Sequence, residues 1–283
     1  MKKNMSLKKE YEENGLLCLE NIISIDTIDK INFKIEVFKK NNQKFLEDNN
    51  LFKDNKLHRV INFHILIDEI KDIYVEILDK INQIFYKDTT FWSSIYFETG
   101  SEQPLHRDLP YFYTGEINTS FGCWVALEDI NINNGPLLAI KGSHLLKQPD
   151  LNKIRDLYFP NGDVPSSDNN LFEHYNNEVR TMCDELEKVE YSNIPKGSLI
   201  IWHINTLHGG KEHIDKKLSR KSLVFHLTPK NKFVGHLDYF FSKNKKLPNI
   251  NFDYEIYKNQ LIKKNHLIDF AHIVQKTKEE LIT

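Results

Sequence analysis

The spacing of apolar residues changes twice along the chain. Isoleucines and leucines recur at helical intervals over residues 23–35 and 66–81, which predicts helices and makes residues 1–90 mainly helical. Further on, short runs rich in aromatic and β-branched residues alternate with turn signals, a pattern typical of strands. Short strands flanked by helices predict a mainly β fold, a sandwich or barrel with helical buttresses.

The strand-like runs fall in two blocks, residues 91–144 and 195–229, which we expect to form the core of the fold. Strands are predicted at residues 91–98, 120–127, 136–140, 197–203 and 221–227. Residues 145–194 are polar and mixed, with a helical stretch over 172–189, and we expect them to form an insertion that acts as a lid. The C-terminal extension, residues 230–283, is basic and expected to be partly helical. No linker-like stretch rich in Gly, Ser or Pro interrupts the sequence, so residues 1–283 are expected to form a single domain.

Composition and charge narrow the class of protein. Hydrophobic residues make up 40% of the chain and aromatic residues 12%, enough for a sizeable core. The formal net charge of −2 argues against binding nucleic acid or an anionic membrane by bulk charge. We therefore expect a small-molecule substrate, and neither nucleic acid nor membrane, as the partner. The sequence does not fix the oligomeric state.

The cysteines and the N-terminus bear on the compartment. The three cysteines, Cys18, Cys123 and Cys183, lie far apart in the sequence and form no C-x-x-C motif. A disulfide framework or structural zinc site is therefore not expected. The basic start is followed by charged residues rather than an apolar signal region, and no apolar run reaches the ~18 residues of a membrane span. These features predict a cytoplasmic protein.

The 12 histidines invite a search for metal-ligand spacing. Two histidines and one carboxylate on one side of an iron ion form a known facial triad, which begins as His-x-Asp or His-x-Glu. On an extended chain, residues i and i+2 point to the same side, so this spacing brings an imidazole and a carboxylate together. The motif occurs three times, at His106-Arg-Asp108, His213-Ile-Asp215 and His236-Leu-Asp238.

Context favours the first of these motifs. His213 and His236 lie in charged, loop-like segments and are expected on the surface. His106 follows a predicted strand and precedes a long, strand-rich stretch that contains His208, just past an apolar strand and before Gly209-Gly210. Arg220 opens the next predicted strand, where its guanidinium can bind a carboxylate through two hydrogen bonds.

Four segments in a fixed order carry a family resemblance. They are residues 96–108 (YFETGSEQPLHRD), 123–144 (CWVALEDININNGPLLAIKGSH), 197–210 (GSLIIWHINTLHGG) and 219–226 (SRKSLVFH). This combination resembles the phytanoyl-CoA dioxygenase family, and so does the segment from Tyr11 to Leu19 near the N-terminus. The resemblance covers residues 8–230. It implies a double-stranded β-helix, a jelly-roll or cupin-like barrel, that uses Fe(II), 2-oxoglutarate and O₂.

The resemblance also implies roles for single residues. The metal ligands of the family fall on His106, Asp108 and His208. The arginine that pairs with the distal carboxylate of 2-oxoglutarate falls on Arg220, and an aromatic residue lying against the cosubstrate falls on Trp124.

A looser alignment places a basic residue of some family members on Arg59, as a further cosubstrate contact. This sequence departs from the family at Gly210, where members often carry a serine that bonds the cosubstrate. A second departure is Gly197-Ser198, where the usual Gly-Asp is absent.

Other residues near these motifs have weaker indications. His203 and His226 lie on predicted strands, where core or supporting roles are favoured over metal binding. Gln103 and Tyr96 are near enough in sequence to reach a substrate, and Cys123 is expected to be a small buried apolar residue.

The function implied is the oxidation of an unactivated C–H bond in a small molecule, with conversion of 2-oxoglutarate to succinate and CO₂. The substrate expected is a sugar or secondary-metabolite intermediate. Because Asp108 is present, hydroxylation is favoured over halogenation, while desaturation, cyclisation and epimerisation stay open. Two alternatives remain, a cupin-like metalloenzyme that is not an oxygenase and a catalytically silent ligand-binding protein.

Overall fold

The structure, a computed structural model, describes residues 2–53, 55–85 and 89–282. The helices are α1 (Lys2–Asn14), α2 (Ile25–Asn41), α3 (Gln43–Asp48), α4 (Glu69–Phe85), α5 (Leu151–Tyr158), α6 (Asn169–Thr181), α7 (Leu237–Phe240) and α8 (Lys278–Ile282). The strands are β1 (Leu16–Leu19), β2 (Phe52–Lys53), β3 (Lys56–Leu57), β4 (Val60–Ile61), β5 (Thr89–Phe97), β6 (Phe121–Ala126), β7 (Leu137–Ile140), β8 (Lys188–Tyr191), β9 (Leu199–His203), β10 (His208–Gly210), β11 (Ser222–Pro229), β12 (Tyr254–Tyr257), β13 (Gln260–Lys263), β14 (Ile268–Phe270) and β15 (Val274–Lys276). The helices predicted from residues 23–35 and 66–81 correspond to α2 and α4.

Two sheets form the centre of the molecule. The larger has ten strands, with the order β1-β9-β6-β11-β5-β4-β14-β15 and the pair β12 and β13 joined to β5. The smaller has the order β10-β7-β8. A third sheet within the described residues is the pair β2 and β3. The predicted mainly β fold with helical support is confirmed, but the two central sheets do not close into a single barrel.

The central strands are buried on both faces. Every residue of β6 and β9 is buried, and the two strands pair antiparallel with Cys123 opposite Ile201. One face packs against α2 and α4, whose buried isoleucines recur at helical spacing. Burying each such side chain stabilises the folded state by roughly 1.5–3 kcal/mol relative to leaving it exposed. Cys123 lies in this layer, as expected.

The other face of the large sheet packs against the small sheet. Trp124, Ile200 and Trp202 of the large sheet form one apolar cluster with Leu137 and Ala139 of β7. Strand β10 of the small sheet begins with His208. The candidate site therefore lies between the two sheets, on the side away from α2 and α4.

The C-terminal extension differs from the prediction. The extension is partly helical, as predicted, in α7 and α8, but residues 254–276 form the hairpins β12–β13 and β14–β15 rather than a helix. Asn259 and His272 have positive φ angles, which suit the tight turns of hairpins. Ile268 and Phe270, two residues apart, bury their side chains in the helix-facing core as members of β14.

The insertion also departs from the prediction at one end. Helix α6 ends at Thr181, and part of the predicted helical stretch 172–189 instead belongs to β8, which pairs with β7. Within the described part of the chain, no helix is long and apolar enough to cross a membrane.

Candidate metal centre and anion pocket

Three predicted ligands lie together between the sheets. The backbones of His106 and His208 pair in a short antiparallel bridge, with N–H···O distances of 2.8 and 3.0 Å. The Nε2 atom of His106 lies 3.6 Å from Oδ1 of Asp108, and Nε2 of His208 lies 3.5 Å from Oδ2. All three ligand atoms are within 4.8 Å of one another. This set can hold one metal ion.

Backbone carbonyls fix the orientation of both imidazoles. Nδ1 of His106 lies 2.8 Å from the Pro104 carbonyl oxygen, and Nδ1 of His208 lies 3.0 Å from that of Thr206. Because a carbonyl only accepts, each Nδ1 must carry the proton. Each Nε2 is then left with a lone pair directed at the Asp108 carboxylate and available to a metal.

The carboxylate between these rings is strongly polarised. Three imidazoles surround it, those of His208, His106 and His226. Burial alone would raise the pKa of Asp108, but these imidazoles outweigh burial and hold the pKa well below its ordinary value. Burial lowers the pKa of His208 to about 4, against the opposing effect of Asp108. The buried ligands are thus an anionic carboxylate and a neutral imidazole, the forms that bind metal.

The turn that carries the first two ligands is held by the buried Arg107. This side chain is fully buried, and its terminal nitrogens donate to the carbonyl oxygen of Ser143 at 2.6 Å and to Oε1 of Gln148 at 3.3 Å. A longer contact of 3.5 Å joins it to the Tyr175 hydroxyl. The guanidinium therefore ties the ligand turn to the start of the insertion.

Helix α6 of the insertion contacts the same turn. The backbone N–H of Arg107 donates to Oδ1 of Asn176 at 2.9 Å, and Nη1 of Arg180 donates to the Leu105 carbonyl oxygen at 2.6 Å. Asn176 is fully buried. The second helix of the insertion is therefore part of the scaffold of the metal centre.

A second group of buried polar side chains lies around Arg220. The side chain is only 4% exposed, and burial lowers its pKa to about 10 with Glu128 opposing. Nη1 of Arg220 donates to Oγ of Ser222 at 3.2 Å. Its Nε, which is buried, has no hydrogen-bond partner among the described residues. No carboxylate of the described residues forms an ion pair with this guanidinium, which leaves it available to an anionic ligand.

Two further buried donors surround Arg220. The ring of Trp124 lies 5.7 Å from the guanidinium carbon, and its Nε1–H is unpaired within the described ranges. His213 approaches from the side of Gly100, whose N–H points at Nδ1 at 3.5 Å. That contact leaves the proton on Nε2, which is also buried and lacks a partner in the described part of the chain. We call Arg220, Trp124 and His213 the anion pocket.

The structure gives a steric reason for Gly210, where members of the family often carry a serine. A Cβ at this position would lie 2.8 Å from Oγ of Ser101 and 2.9 Å from the backbone nitrogen of Glu102. A serine therefore does not fit there without movement of the neighbouring segment. The hydroxyl that lies on Arg220 comes from Ser222 instead.

Arg59 lies just before β4 and is half-buried. Burial lowers its pKa, while the charges of Asp269 and Asp108 oppose that effect. Its Nε is buried and has no partner among the residues described. Val60 faces the helix-side core, so alternation along the extended chain directs the neighbouring Arg59 to the opposite face of the sheet.

Some residues with weaker indications lie elsewhere. Tyr96 packs on Phe63 in the helix-facing core, away from the metal centre, and the side chain of Gln103 is exposed. His203 bonds Asn118 and the turn after β9. Its supporting role is as expected.

Sequence reasoning missed several residues of the site. The expectation that His213 lies on the surface is wrong, because the residue is 2% exposed and the charged residues around it in sequence hid its burial. Trp202 and Arg107 were not singled out. Alternation along β9 could have placed Trp202 on the cavity side, two residues beyond Ile200. No local signal marks Arg107.

Comparisons with known proteins identify the family and the fold. The family profile described as phytanoyl-CoA dioxygenase (PhyH) matches residues 11–222. Phytanoyl-CoA dioxygenase domain-containing protein 1 from Bos taurus is 28% identical over 135 residues, and the protein of the same name from Rattus norvegicus is 26% identical. Each match covers 45% of this chain and spans 40% of the relative's own length.

Solved structures share the fold over most of the chain. The epimerase SnoN in complex with Fe³⁺, alpha-ketoglutarate and nogalamycin RO has a TM-score of 0.60 at 12% identity, covering 93% of this chain and 96% of that one. The carbocyclase SnoK from nogalamycin biosynthesis has a TM-score of 0.57 at 14% identity, with coverages of 91% and 96%. The predicted jelly-roll, cupin-like fold class is confirmed. With the family profile matching three quarters of its length, the chain belongs to the phytanoyl-CoA dioxygenase family of oxygenases.

Proposed function

We propose that the protein is an Fe(II)- and 2-oxoglutarate-dependent dioxygenase that oxidises an unactivated C–H bond of a small molecule. The observation that carries this proposal is the anion pocket. A metal site alone fits many reactions, but a buried guanidinium with two further unpaired donors needs a ligand that offers only acceptors. A dicarboxylate that also binds the metal meets that need.

The donor set fits an iron ion. His106, Asp108 and His208 provide two neutral imidazoles and one carboxylate, the combination typical of non-haem iron oxygenases. Bound iron and 2-oxoglutarate would supply the oxidising chemistry, in which O₂ is consumed, succinate and CO₂ are released, and the substrate C–H is oxidised.

The chain itself orients and shields the reactants. Arg220 binds the distal carboxylate and so fixes the direction of the cosubstrate between the sheets. Trp124 covers that carboxylate, and Arg59 is proposed to contact the cosubstrate from β4. The apolar layer between the sheets excludes water, which strengthens each of these charge interactions.

The proposed substrate class is a sugar or secondary-metabolite intermediate. This rests on similarity to SnoN and SnoK, proteins of nogalamycin biosynthesis. Those two enzymes are an epimerase and a carbocyclase, so the outcome of the oxidation is left open between hydroxylation, desaturation, cyclisation and epimerisation. We further propose that residues 1–283 act as one oxygenase domain in the cytoplasm, and the lid role of residues 145–194 stays a prediction.

The test is anaerobic addition of Fe(II) and then 2-oxoglutarate to metal-free protein, followed by visible spectroscopy. We expect a weak charge-transfer band that requires both additions. The band should be absent in His208→Ala, and Arg220→Ala should need more cosubstrate to reach it. If no band forms and the protein retains Zn(II) or Mn(II) tightly, the alternative of a metalloenzyme or binding protein without oxygenase activity replaces this proposal.

A further inference from the structure

The second oxygen of Asp108 has its own hydrogen-bond donor. Nε1–H of Trp202 donates to Oδ2 at 2.9 Å, and both side chains are buried. A hydrogen bond from a neutral donor to a buried carboxylate is charge-assisted and stronger than one between neutral groups. The indole also lies against a metal ligand, with its ring centroid 4.4 Å from that of His208.

The register of the large sheet explains how the indole reaches this position. Gly122 on β6 pairs directly with Trp202 on β9 and, on its other side, with His226 on β11. A Cβ at position 122 would lie 2.1 Å from Cε2 of the indole. Glycine at this position therefore leaves the space that the ring occupies.

The other neighbours of the carboxylate limit its movement further. The His226 ring stacks on Phe112 at a centroid distance of 3.8 Å. Its Nε2 lies 3.7 Å from the same oxygen, Oδ2 of Asp108, which is too long for a hydrogen bond. Trp202 is therefore the side chain whose hydrogen bond sets the rotation of the carboxylate about its Cβ–Cγ bond.

We propose that Trp202 is a positioning residue for the metal centre, seated by Gly122, and that it holds the Asp108 carboxylate in the orientation that binds the ion. This inference deepens the proposed function but requires only that the three ligands bind a metal. Groups that orient ligands from behind in this way typically account for a 10–100-fold effect on metal affinity.

Mn(II), which is stable in air and visible by electron paramagnetic resonance, is the probe for the test. Its Kd is measured by titration of metal-free wild type, Trp202→Phe and Trp92→Phe, with the thermal midpoint of each metal-free protein recorded in parallel. Trp202→Phe keeps an aromatic ring and removes the N–H, and we expect its Kd to rise by ~10–100-fold. Trp92 packs on Phe252 away from the site, so its variant should bind like wild type. A Kd for Trp202→Phe within twofold of wild type would overturn the inference.

Nuclear magnetic resonance of the metal-free protein provides a second readout that does not depend on folding of Trp202→Phe. The chain has 3 tryptophans and therefore three indole N–H signals. One signal should lie downfield and move upfield in Asp108→Asn, and that signal should persist in Trp92→Phe and Trp124→Phe. If Asp108→Asn leaves all three signals in place, the hydrogen bond does not exist in solution and the inference fails. Neither readout uses 2-oxoglutarate, so a missing charge-transfer band would defeat the proposed function and leave this inference standing.

Discussion

The candidate site includes two buried arginines whose surroundings differ. Arg107, between the first two ligands, directs four hydrogen bonds from its terminal nitrogens to neutral acceptors. Arg220, in the anion pocket, directs one, to Ser222. Neither forms an ion pair within the part of the chain that the structure describes, and both are at most 4% exposed.

This difference separates a structural role from a binding role. A buried charge is costly unless hydrogen bonds replace its lost hydration. Among the described residues, Nε is buried and unpaired in both side chains, but the chain provides those bonds for the terminal nitrogens of Arg107, which consequently fixes the ligand turn. Arg220 makes few such hydrogen bonds, so part of the cost of its desolvation is offset only when an anionic ligand binds. A buried guanidinium with few partners therefore marks a ligand site more specifically than its charge alone.

The largest expected effect is on cosubstrate binding in Arg220→Met. Removing one partner of a buried, hydrogen-bonded charge pair costs roughly 2–5 kcal/mol, so affinity for 2-oxoglutarate in the presence of Mn(II) should fall by roughly 30- to 4,000-fold. Calorimetric titration measures this change. The affinity for Mn(II) alone should stay as in wild type, because Arg220 does not contact the ligands. Unchanged affinity for 2-oxoglutarate would remove the anion pocket from the site.

The free energy of unfolding should depend on Arg107 and not on Arg220, the reverse of what we expect for cosubstrate binding. In the metal-free protein, Arg107→Met removes the donor to the Leu146 carbonyl and one of two donors each to the Ser143 carbonyl and to Gln148. It should lower the free energy of unfolding by roughly 2–4 kcal/mol. Arg220→Met removes a poorly satisfied buried charge and should be neutral or slightly stabilising. Urea denaturation measures the free energy of unfolding of both variants. If Arg220→Met were less stable than Arg107→Met, the assignment of a structural role to Arg107 and a binding role to Arg220 would be wrong.

A smaller effect is expected from the helix that supports Arg107. Asn176→Ala leaves the backbone N–H of Arg107 buried and unpaired, which should cost about 1–3 kcal/mol of unfolding free energy. Asn170→Ala, on the exposed first turn of the same helix, is the matched control and should change stability by less than ~0.5 kcal/mol. Equal effects of the two substitutions would show that α6 does not brace the ligand turn.

The parts of this site that could be predicted from the sequence are those set by local geometry. His106 and Asp108 share a side of an extended segment because they are two residues apart, and the isoleucines of α2 repeat at helical spacing. Trp202, by contrast, meets Asp108 across 94 positions of sequence, and that contact depends on a sheet register that no local pattern contains.

The same limit explains two of the differences between prediction and structure. His213 lies among charged residues in sequence, but its burial depends on the distant Gly100 and Gly135. The apolar residues of the C-terminal extension fit a helix about as well as they fit strands, and pairing of β13 with β5 and of β14 with β4 decides between them.

The smallest effect concerns the third member of the anion pocket. Burial, together with the nearby charges of Lys216 and Arg220, holds the pKa of His213 below its ordinary value of 6.5. As the pH falls below that value, the unfolded chain takes up a proton that the folded protein does not. The contribution of His213 to the free energy of unfolding is therefore fully present at pH 7.5. It is lost on acidification, by at most ~1.4 kcal/mol per pH unit. His213→Asn should remove this contribution, so its free energy of unfolding should fall less between pH 7.5 and 5.5 than that of wild type. Urea denaturation across this range measures both slopes. Parallel slopes would show that the imidazole titrates as it does in water, and the anion pocket would then contain only the donors of Arg220 and Trp124.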